Sequence, residues 1–244
     1  MRNLLLTLSF DGTEFHGWQT QKNAVTVQEV LGDAIFKACG ERVTLHGCGR
    51  TDAKVHANMF CANFKTESKL STDSFVSALN YYLPYSIAVK SCEEVDDSFH
   101  ARFSCKSKEY VYLIWNARHR NPFYKDRAYH YTYPIDVDKM NKAAESAVGT
   151  HDFTSFCASG SEVEDKVRTI FSAKVERAAD FVRFTVSGDG FLYNMVRIMV
   201  GSLLDIQNGK IEAKTLGEII EAKDRLKAGF TAPAHGLYLN RVEY

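Results

Sequence analysis

Residues 4–10, LLLTLSF, are the starting point for the predicted fold of the first half of the chain. This leucine-rich run ends at Asp11-Gly12, a dipeptide typical of turns, and therefore predicts a strand. Apolar residues then recur at helical spacing over 26–39 and predict a helix. Strand-like segments at 42–47 and 57–64 follow, so the chain begins strand, helix, strand, strand.

The rest of the chain completes this order of strands and helices and then repeats it. A helix over 72–83, stopped by Pro84, and a strand over 87–95 complete the order β-α-β-β-α-β. The same order recurs as strand, helix, hairpin strands, long apolar helix and last strand, at 109–115, 136–148, 169–176, 181–187, 191–206 and 236–242, with a short extra helix at 214–222.

The repeated order is that of the split βαβ, or ferredoxin-like, arrangement. We therefore expect an α+β fold of two ferredoxin-like halves with mostly antiparallel sheets. The boundary falls near 98–108, so the predicted halves are residues 1–104 and residues 105–244. The cleft between two such halves is the expected place for an active site.

Composition narrows the function classes. The chain has 244 residues, 45% hydrophobic and 25% charged, with a net charge of zero. These values indicate a globular protein and exclude disorder or coiled coil as global descriptions. Zero net charge also means that any nucleic-acid site must be a local patch rather than a wholly basic surface.

One stretch supplies such a patch. Residues 100–130 contain seven basic residues against two acidic ones, a local charge of +5. Aromatic residues are interleaved with them, a combination of phosphate-binding cations and base-stacking rings that suits RNA. The alternative is a solvated, strand-rich surface whose tyrosines fill a core.

Membrane, metal and cofactor signals are missing from the sequence. The most apolar run, 191–206, is interrupted by Arg197 and Asp205 and is too short for a membrane span. No hydrophobic core of signal-peptide length follows Met1, and none of the six cysteines form Cys-x-x-Cys. We therefore expect a cytoplasmic protein with free thiols, no metal and no cofactor.

The densest polar cluster is GCGRTDAKVHA, residues 47–57. It places the carboxylate of Asp52 among a guanidinium, an ammonium and an imidazole, which suits a nucleophile or base kept ionised by a neighbouring arginine. The alternative is a polar turn in which Asp52 caps backbone N–H groups. Arg197, in the apolar run, needs a carboxylate partner such as Asp52 or reaches solvent at the helix edge.

Taken together, these segments resemble the TruA-type tRNA pseudouridine synthases. No single motif is decisive, but their joint order and spacing are highly specific. The matching motifs run from near residue 4 to the end of the chain: FDGT (10–13), FHGWQ (15–19), TVQ (26–28), GRTDA (49–53), VHA (55–57), SFHARF (98–103), KEYVY (108–112), DFTSF (152–156), NMVR (194–197) with Gly201, AP (232–233) and GLYL (236–239).

The resemblance implies an activity, a homodimeric assembly and a set of site residues. It implies isomerisation of uridine to pseudouridine in the tRNA anticodon arm, around positions 38 to 40, by a homodimer that needs no metal or cofactor. Asp52 matches the catalytic aspartate, and Tyr110 the tyrosine that stacks on the target base. Arg197 matches the arginine that pairs with the aspartate, and Arg50 the one associated with base flipping and phosphate contacts.

One position departs from the family pattern. The family usually has glycine where this chain has Lys54. If the position needs a positive φ, lysine strains the loop, and otherwise it adds a cation beside the site. Two other function classes remain open: an RNA-binding protein without catalysis, and a small-molecule enzyme that uses Asp52 with His56 as general acid and base.

Overall fold

The structure, a computed structural model, describes residues 1–161 and 163–244. The chain divides into two compact units. The first consists of Met1–Lys106 together with Tyr238–Tyr244, and the second of Ser107–Leu237. The sequence-based division at 104/105 differs from this in the last strand, which belongs to the first unit because it pairs with a strand there.

The first unit is built on an antiparallel sheet in the order β4-β1-β3, with β2 on the free edge of β3. The last strand, β10, shares that edge and runs parallel to β3, with Tyr238 opposite His56. Helices α1 and α2 pack against each other, and α2 packs against β4. The element bounds are β1 Arg2–Phe10, α1 Val27–Cys39, β2 His46–Gly47, β3 His56–Thr66, α2 Thr72–Tyr82, β4 Ile87–Val95 and β10 Leu237–Glu243.

The core of the first unit follows from the leucine-rich first strand. Leu4, Leu6 and Leu8 are fully buried, and so are Leu31 of α1 and Phe75 of α2. Burying such side chains is worth about 1.5–3 kcal/mol each. The strand order β4-β1-β3-β2 is that of the split βαβ arrangement expected from the sequence.

The second unit is built on antiparallel strands in the order β5-β9-β8-β7, with the short β6 parallel to β5. Helix α3 packs on β8, and α4 contacts α3, α5 and β5. The element bounds are β5 Ser107–Trp115, β6 Tyr129–His130, α3 Val137–Glu145, β7 Gly149–Asp152, β8 Val167–Ala178, β9 Phe181–Gly188, α4 Met195–Gln207 and α5 Leu216–Ala222.

The predicted α+β class and mostly antiparallel sheets are confirmed, and several details differ. Helix α4 begins at Met195 rather than at 191, because Asn194 has a left-handed backbone (φ 60°) that a right-handed helix cannot include. Strand β2 is confined to His46–Gly47. The short strands β6 and β7 carry too little pattern for the sequence to reveal them.

Helix starts are set by side-chain caps, with one exception. Thr26, Ser71, Asp136 and Thr215 precede α1, α2, α3 and α5, and each accepts a hydrogen bond from the backbone N–H three residues later. Such caps are worth about 1 kcal/mol. Among the α-helices of the described residues, α4 alone begins without one.

Candidate active site

The loop between β2 and β3, residues 48–55, carries the predicted catalytic aspartate. Thr51 and Val55 are buried, Asp52 is half-buried, and Ala53 and Lys54 are exposed. The backbone N–H of Val55 donates to the carbonyl of Asp52 at 3.2 Å and closes a turn. The loop thus keeps the carboxylate partly accessible while Thr51 and Val55 on either side of it are buried.

A second loop, residues 11–18, holds the Asp52 loop through the main chain. The N–H of Lys54 donates to the carbonyl of Phe15 at 3.1 Å, and the N–H of Trp18 donates to the carbonyl of Thr51 at 3.3 Å. These bonds lie on either side of Asp52 in sequence. The FHGWQ segment is therefore part of the scaffold that positions the loop.

Glycine makes this close approach possible at two positions. A Cβ on Gly12 would lie 2.0 Å from the carbonyl oxygen of Val55, and one on Gly17 would lie 2.2 Å from that of Thr51. Gly17 also has φ +86°, a conformation that L side chains rarely adopt. Any side chain at either position would push the two loops apart.

Aromatic packing forms the floor beneath the loops. Trp18 is 2% exposed and stacks on Phe60 of β3, with ring centroids 4.3 Å apart. Gly47 lies against this pair, since a Cβ there would come within 2.6 Å of the indole Nε1. Stacked pairs of this kind add about 0.5–1.5 kcal/mol beyond area burial.

Lys54 occupies a left-handed backbone position. Its φ is 65°, which answers the question raised by the departure from the family glycine. A non-glycine residue pays about 1 kcal/mol for this conformation. The side chain is exposed, so the strain is confined to the backbone and a cation stands at the loop surface next to Asp52.

His56 has a structural role. The imidazole is 2% exposed, and its Nδ1 accepts a hydrogen bond from the backbone N–H of Gly12 at 3.0 Å. The same nitrogen lies 3.2 Å from Oδ1 of Asp11, and the ring stacks on Tyr238 at 4.6 Å. A buried ring that holds a turn is poorly suited to exchange protons with a substrate, which counts against the small-molecule alternative.

The first unit carries one more predicted site residue, Arg50, which is exposed on the same loop as Asp52. Nearby in the first unit, His100 lies between the rings of His46 and Phe103, at 4.5 Å and 4.4 Å. Burial, His46 and Arg102 lower the pKa of His100. Phe103 is 76% exposed and presents an aromatic face to solvent.

Tyr110 and Arg197 lie in the second unit. Tyr110 is on β5, opposite Val186 of β9, and is 9% exposed. Its ring meets Phe191 edge-on, with centroids 5.0 Å apart. Phe191 belongs to the segment that the sequence assigned to a helix and that the structure leaves non-helical before α4.

Within the second unit, two neutral oxygen atoms accept hydrogen bonds from the guanidinium of Arg197, which lies in the first turn of α4. Nε donates to the carbonyl of Ala232 at 2.8 Å, and Nη1 donates to Oδ1 of Asn194 at 2.6 Å. The side chain is half-buried rather than extended along the helix edge into solvent. The sequence assigned no role to Asn194 or Ala232, because the predicted helix over 191–206 placed Asn194 inside the helix rather than at its start.

The structure thus places Arg50 and Asp52 on one loop of the first unit and Tyr110 and Arg197 in the second. Among the described residues there is no group of three or more acidic, histidine or cysteine side chains that could hold a metal ion. All six cysteines are free thiols. No helix within the described part of the chain is long and apolar enough to cross a membrane.

Comparison with known proteins finds chains that are similar to this one over its full length. The chain is 47% identical to the tRNA pseudouridine synthase A of Thermoanaerobacter sp. (strain X514) over 244 residues, all of both chains. It is 48% identical to the protein of that name from Acetivibrio thermocellus, again over the full length of both. A solved Cbf5-Nop10-Gar1 complex contains a chain that is 12% identical, with a TM-score of 0.38, of which this chain covers 58%.

The family match spans both units. The family model described as tRNA pseudouridine synthase matches residues 7–104 and 143–244, which is more than half of the chain. The first range contains the Asp52 loop and the loop that holds it, and the second contains Arg197 with Asn194. The chain therefore belongs to the tRNA pseudouridine synthase family.

Proposed function

We propose that this chain converts uridine to pseudouridine in the anticodon arm of tRNA, around positions 38 to 40, with Asp52 as nucleophile or base. The observation that carries the proposal is the half-buried carboxylate of Asp52 on a loop held by main-chain hydrogen bonds on both sides. A reacting group on a rigid loop needs little reorganisation during the reaction.

The reaction rearranges bonds within one nucleoside. The N-glycosidic bond of uridine breaks, the base rotates, and C5 joins C1′ of the ribose. The C5 hydrogen leaves as a proton and N1 takes up a proton, so the product is an isomer of the substrate. No electron is gained or lost and no water is consumed, so we expect no cofactor or metal. The target nucleotide must first leave its stack to reach Asp52.

Four residues have separate roles in the proposed reaction. Asp52 acts as nucleophile or base in its ionised form, and the positive charge of Arg197 favours that form. Tyr110 stacks on the flipped base, since an aromatic ring accepts any base face. Arg50, exposed on the Asp52 loop, contacts a phosphate and helps to hold the flipped nucleotide.

The expected partner is tRNA, bound by a homodimer in the cytoplasm. The net charge of +5 over residues 100–130 supports a phosphate contact surface in a chain that is neutral overall. Sedimentation equilibrium tests the dimer, which a monomer at micromolar concentration would contradict. The apparent affinity for tRNA should fall steeply as salt rises, because phosphate contacts release counterions.

Tritium release from tRNA labelled with [5-³H]uridine tests the activity and the role of Asp52. Wild type should release tritium, and Asp52→Ala should release none while it still folds and binds tRNA. Asp33→Ala is the matched control, because Asp33 is a carboxylate of α1 whose side chain is 54% exposed. This control should keep the wild-type rate.

Two outcomes would contradict the proposal in different ways. Wild type that binds tRNA but releases no tritium would indicate an RNA-binding protein without catalysis. Asp52→Ala with normal turnover would leave the activity standing but remove Asp52 from the reaction. Mapping of the product to uridines outside the anticodon arm would overturn the substrate position alone.

A further inference from the structure

The start of α4 departs from the other helices in how it uses its first side chain. Asn194 occupies the N-cap position, with φ 60° and ψ 8°, and makes no side-chain hydrogen bond to the helix backbone. Asparagine is among the best capping residues, and a cap is worth about 1 kcal/mol. The helix forgoes that stabilisation although the capping residue is present.

The side-chain oxygen of Asn194 is used for Arg197 instead. Oδ1 accepts a hydrogen bond from Nη1 of Arg197 at 2.6 Å, while Nε of the same guanidinium donates to the carbonyl of Ala232 at 2.8 Å. Two bonds from two different nitrogens fix the plane of the guanidinium group. Both of these acceptors are neutral, so neither places a negative charge beside the guanidinium.

The second acceptor, Ala232, is itself held firmly. Its N–H donates to the carbonyl of Arg197 at 3.1 Å, which ties the segment 228–232 to α4. Further along, the N–H of Gly229 donates to Oγ of Ser202 at 2.9 Å. A Cβ on Gly201 would lie 1.8 Å from the carbonyl oxygen of Phe230, so the segment lies directly against the helix.

The left-handed backbone at 194 restricts which residues can supply this contact. Asparagine, aspartate and glycine adopt it most readily, because the first two have short polar side chains and glycine has none. Of these, glycine offers no acceptor and aspartate would offer a negative one. Asparagine is the member of this set that combines the backbone conformation with a neutral acceptor.

From this geometry we propose that Asn194 is a positioning residue that orients the charged guanidinium of Arg197 for the reaction. The inference rests on the proposed function, in which the charge of Arg197 favours ionised Asp52. Asn194 touches neither substrate nor reacting atoms in this role. Its removal should therefore lower kcat and leave the KM for tRNA nearly unchanged.

Two substitutions at 194 separate positioning from simple structural support. Asn194→Gly keeps the backbone conformation and removes the acceptor, so kcat should fall about tenfold while Tm stays near wild type, since no cap is lost. Asn194→Asp keeps an acceptor but adds a negative charge beside the guanidinium. A carboxylate at a helix start and next to arginine is stabilising, so Tm should rise while kcat falls.

Thr215→Ala is the matched control, because Thr215 caps α5 in the same unit with a genuine bond to the N–H of Glu218 at 3.2 Å. It should lower Tm and leave kcat unchanged, the reverse of the pattern at 194. All variants are compared by tritium release from [5-³H]uridine tRNA under single-turnover and steady-state conditions.

The outcomes distinguish this inference from the function on which it rests. Wild-type kcat in Asn194→Gly, with wild type active, would overturn the positioning role and leave the proposed function intact. Wild-type or higher kcat in Asn194→Asp would show that only the hydrogen bond matters and would overturn the requirement for a neutral acceptor. Absence of tritium release from wild type would overturn both proposals.

Discussion

The Asp52 loop of the first unit and the first turn of α4 in the second are held in different ways. The loop is fixed by its main chain, through bonds such as that from the N–H of Lys54 to Phe15 and through the bare backbones of Gly12 and Gly17. Arg197 is fixed by its own side chain, which bonds to Asn194 and Ala232. One region depends on the absence of a Cβ, and the other on the presence of a polar side chain.

This difference predicts how each region fails. Where backbone touches backbone, no rotamer change relieves an added atom, so single substitutions should cost a large part of the free energy of unfolding. Where a side chain makes the contact, its loss can spare the fold and reduce turnover alone. The three substitutions that follow test this contrast.

Substitution of Gly12 by alanine should have the largest effect on stability. The new Cβ would lie 2.0 Å from the carbonyl oxygen of Val55, so the two loops must separate. We expect the free energy of unfolding to fall by about 3 kcal/mol. The rate of tritium release should fall as well. Urea unfolding monitored by tryptophan fluorescence measures the change, since Trp18 lies in the affected loop.

Gly32→Ala is the control for this substitution. Gly32 lies within α1, and a Cβ there would meet only Leu45 Cδ1 at 3.8 Å. Alanine is the better helix former, so this variant should gain about 0.5–1 kcal/mol. Equal stability of the two variants would show that the close approach at Gly12 is relieved at little cost.

Gly201→Ala tests a contact in the second region that also depends on a bare backbone. A Cβ at 201 would lie 1.8 Å from the carbonyl oxygen of Phe230 and would lift the segment 228–232 from α4. Better helix propensity offsets part of the cost, so we expect a net loss of about 2 kcal/mol. Thermal unfolding measures this loss.

The kcat of Gly201→Ala tests whether the Ala232 carbonyl is needed to orient Arg197. Because the displaced segment carries the Ala232 carbonyl, kcat should fall in Gly201→Ala, as we also expect for Asn194→Gly. A variant that loses stability but keeps wild-type kcat would show that Ala232 is not needed to orient Arg197.

Lys54→Gly should have the smallest effect, and in the opposite direction. Lys54 has φ 65°, so glycine relieves the strain and should raise the free energy of unfolding by about 1 kcal/mol. Lys54→Ala removes the same charge but keeps a Cβ, so it should give no such gain. If both variants are equally stable, the lysine backbone is not strained in this loop.

The local sequence pattern was sufficient to predict most of the strands and helices. The bounds 87–95 of β4 were predicted as the structure has them, and α1 and α2 were predicted to within one residue at each end. Caps and alternation are properties of neighbouring residues, which explains this agreement. The start of α4 was wrong by four residues, because an apolar run gives no sign that Asn194 has a left-handed backbone.

The candidate site was less visible from local pattern. Spacing alone left Asp52 open to interpretation as a turn cap, and the identification of Asp52, Tyr110, Arg197 and Arg50 as site residues came from resemblance to a family. Their individual roles await the experiments above. The bond from Arg197 to the carbonyl of Ala232, by contrast, joins residues 35 positions apart and leaves no periodic signal.

The fold class and the order of strands and helices could be predicted from patterns of a few neighbouring residues. The family could be predicted from motifs that match in order along the chain. Three other facts came from contacts between distant segments: β10 joins the sheet of the first unit, the 11–18 loop supports the Asp52 loop, and the carbonyl of Ala232 accepts a hydrogen bond from Arg197. The physical reason is the same in each case. Local propensities are set by short-range sterics, whereas a strand's partner, a glycine's close neighbour or a side chain's acceptor depends on which segments the folded chain brings within hydrogen-bond distance.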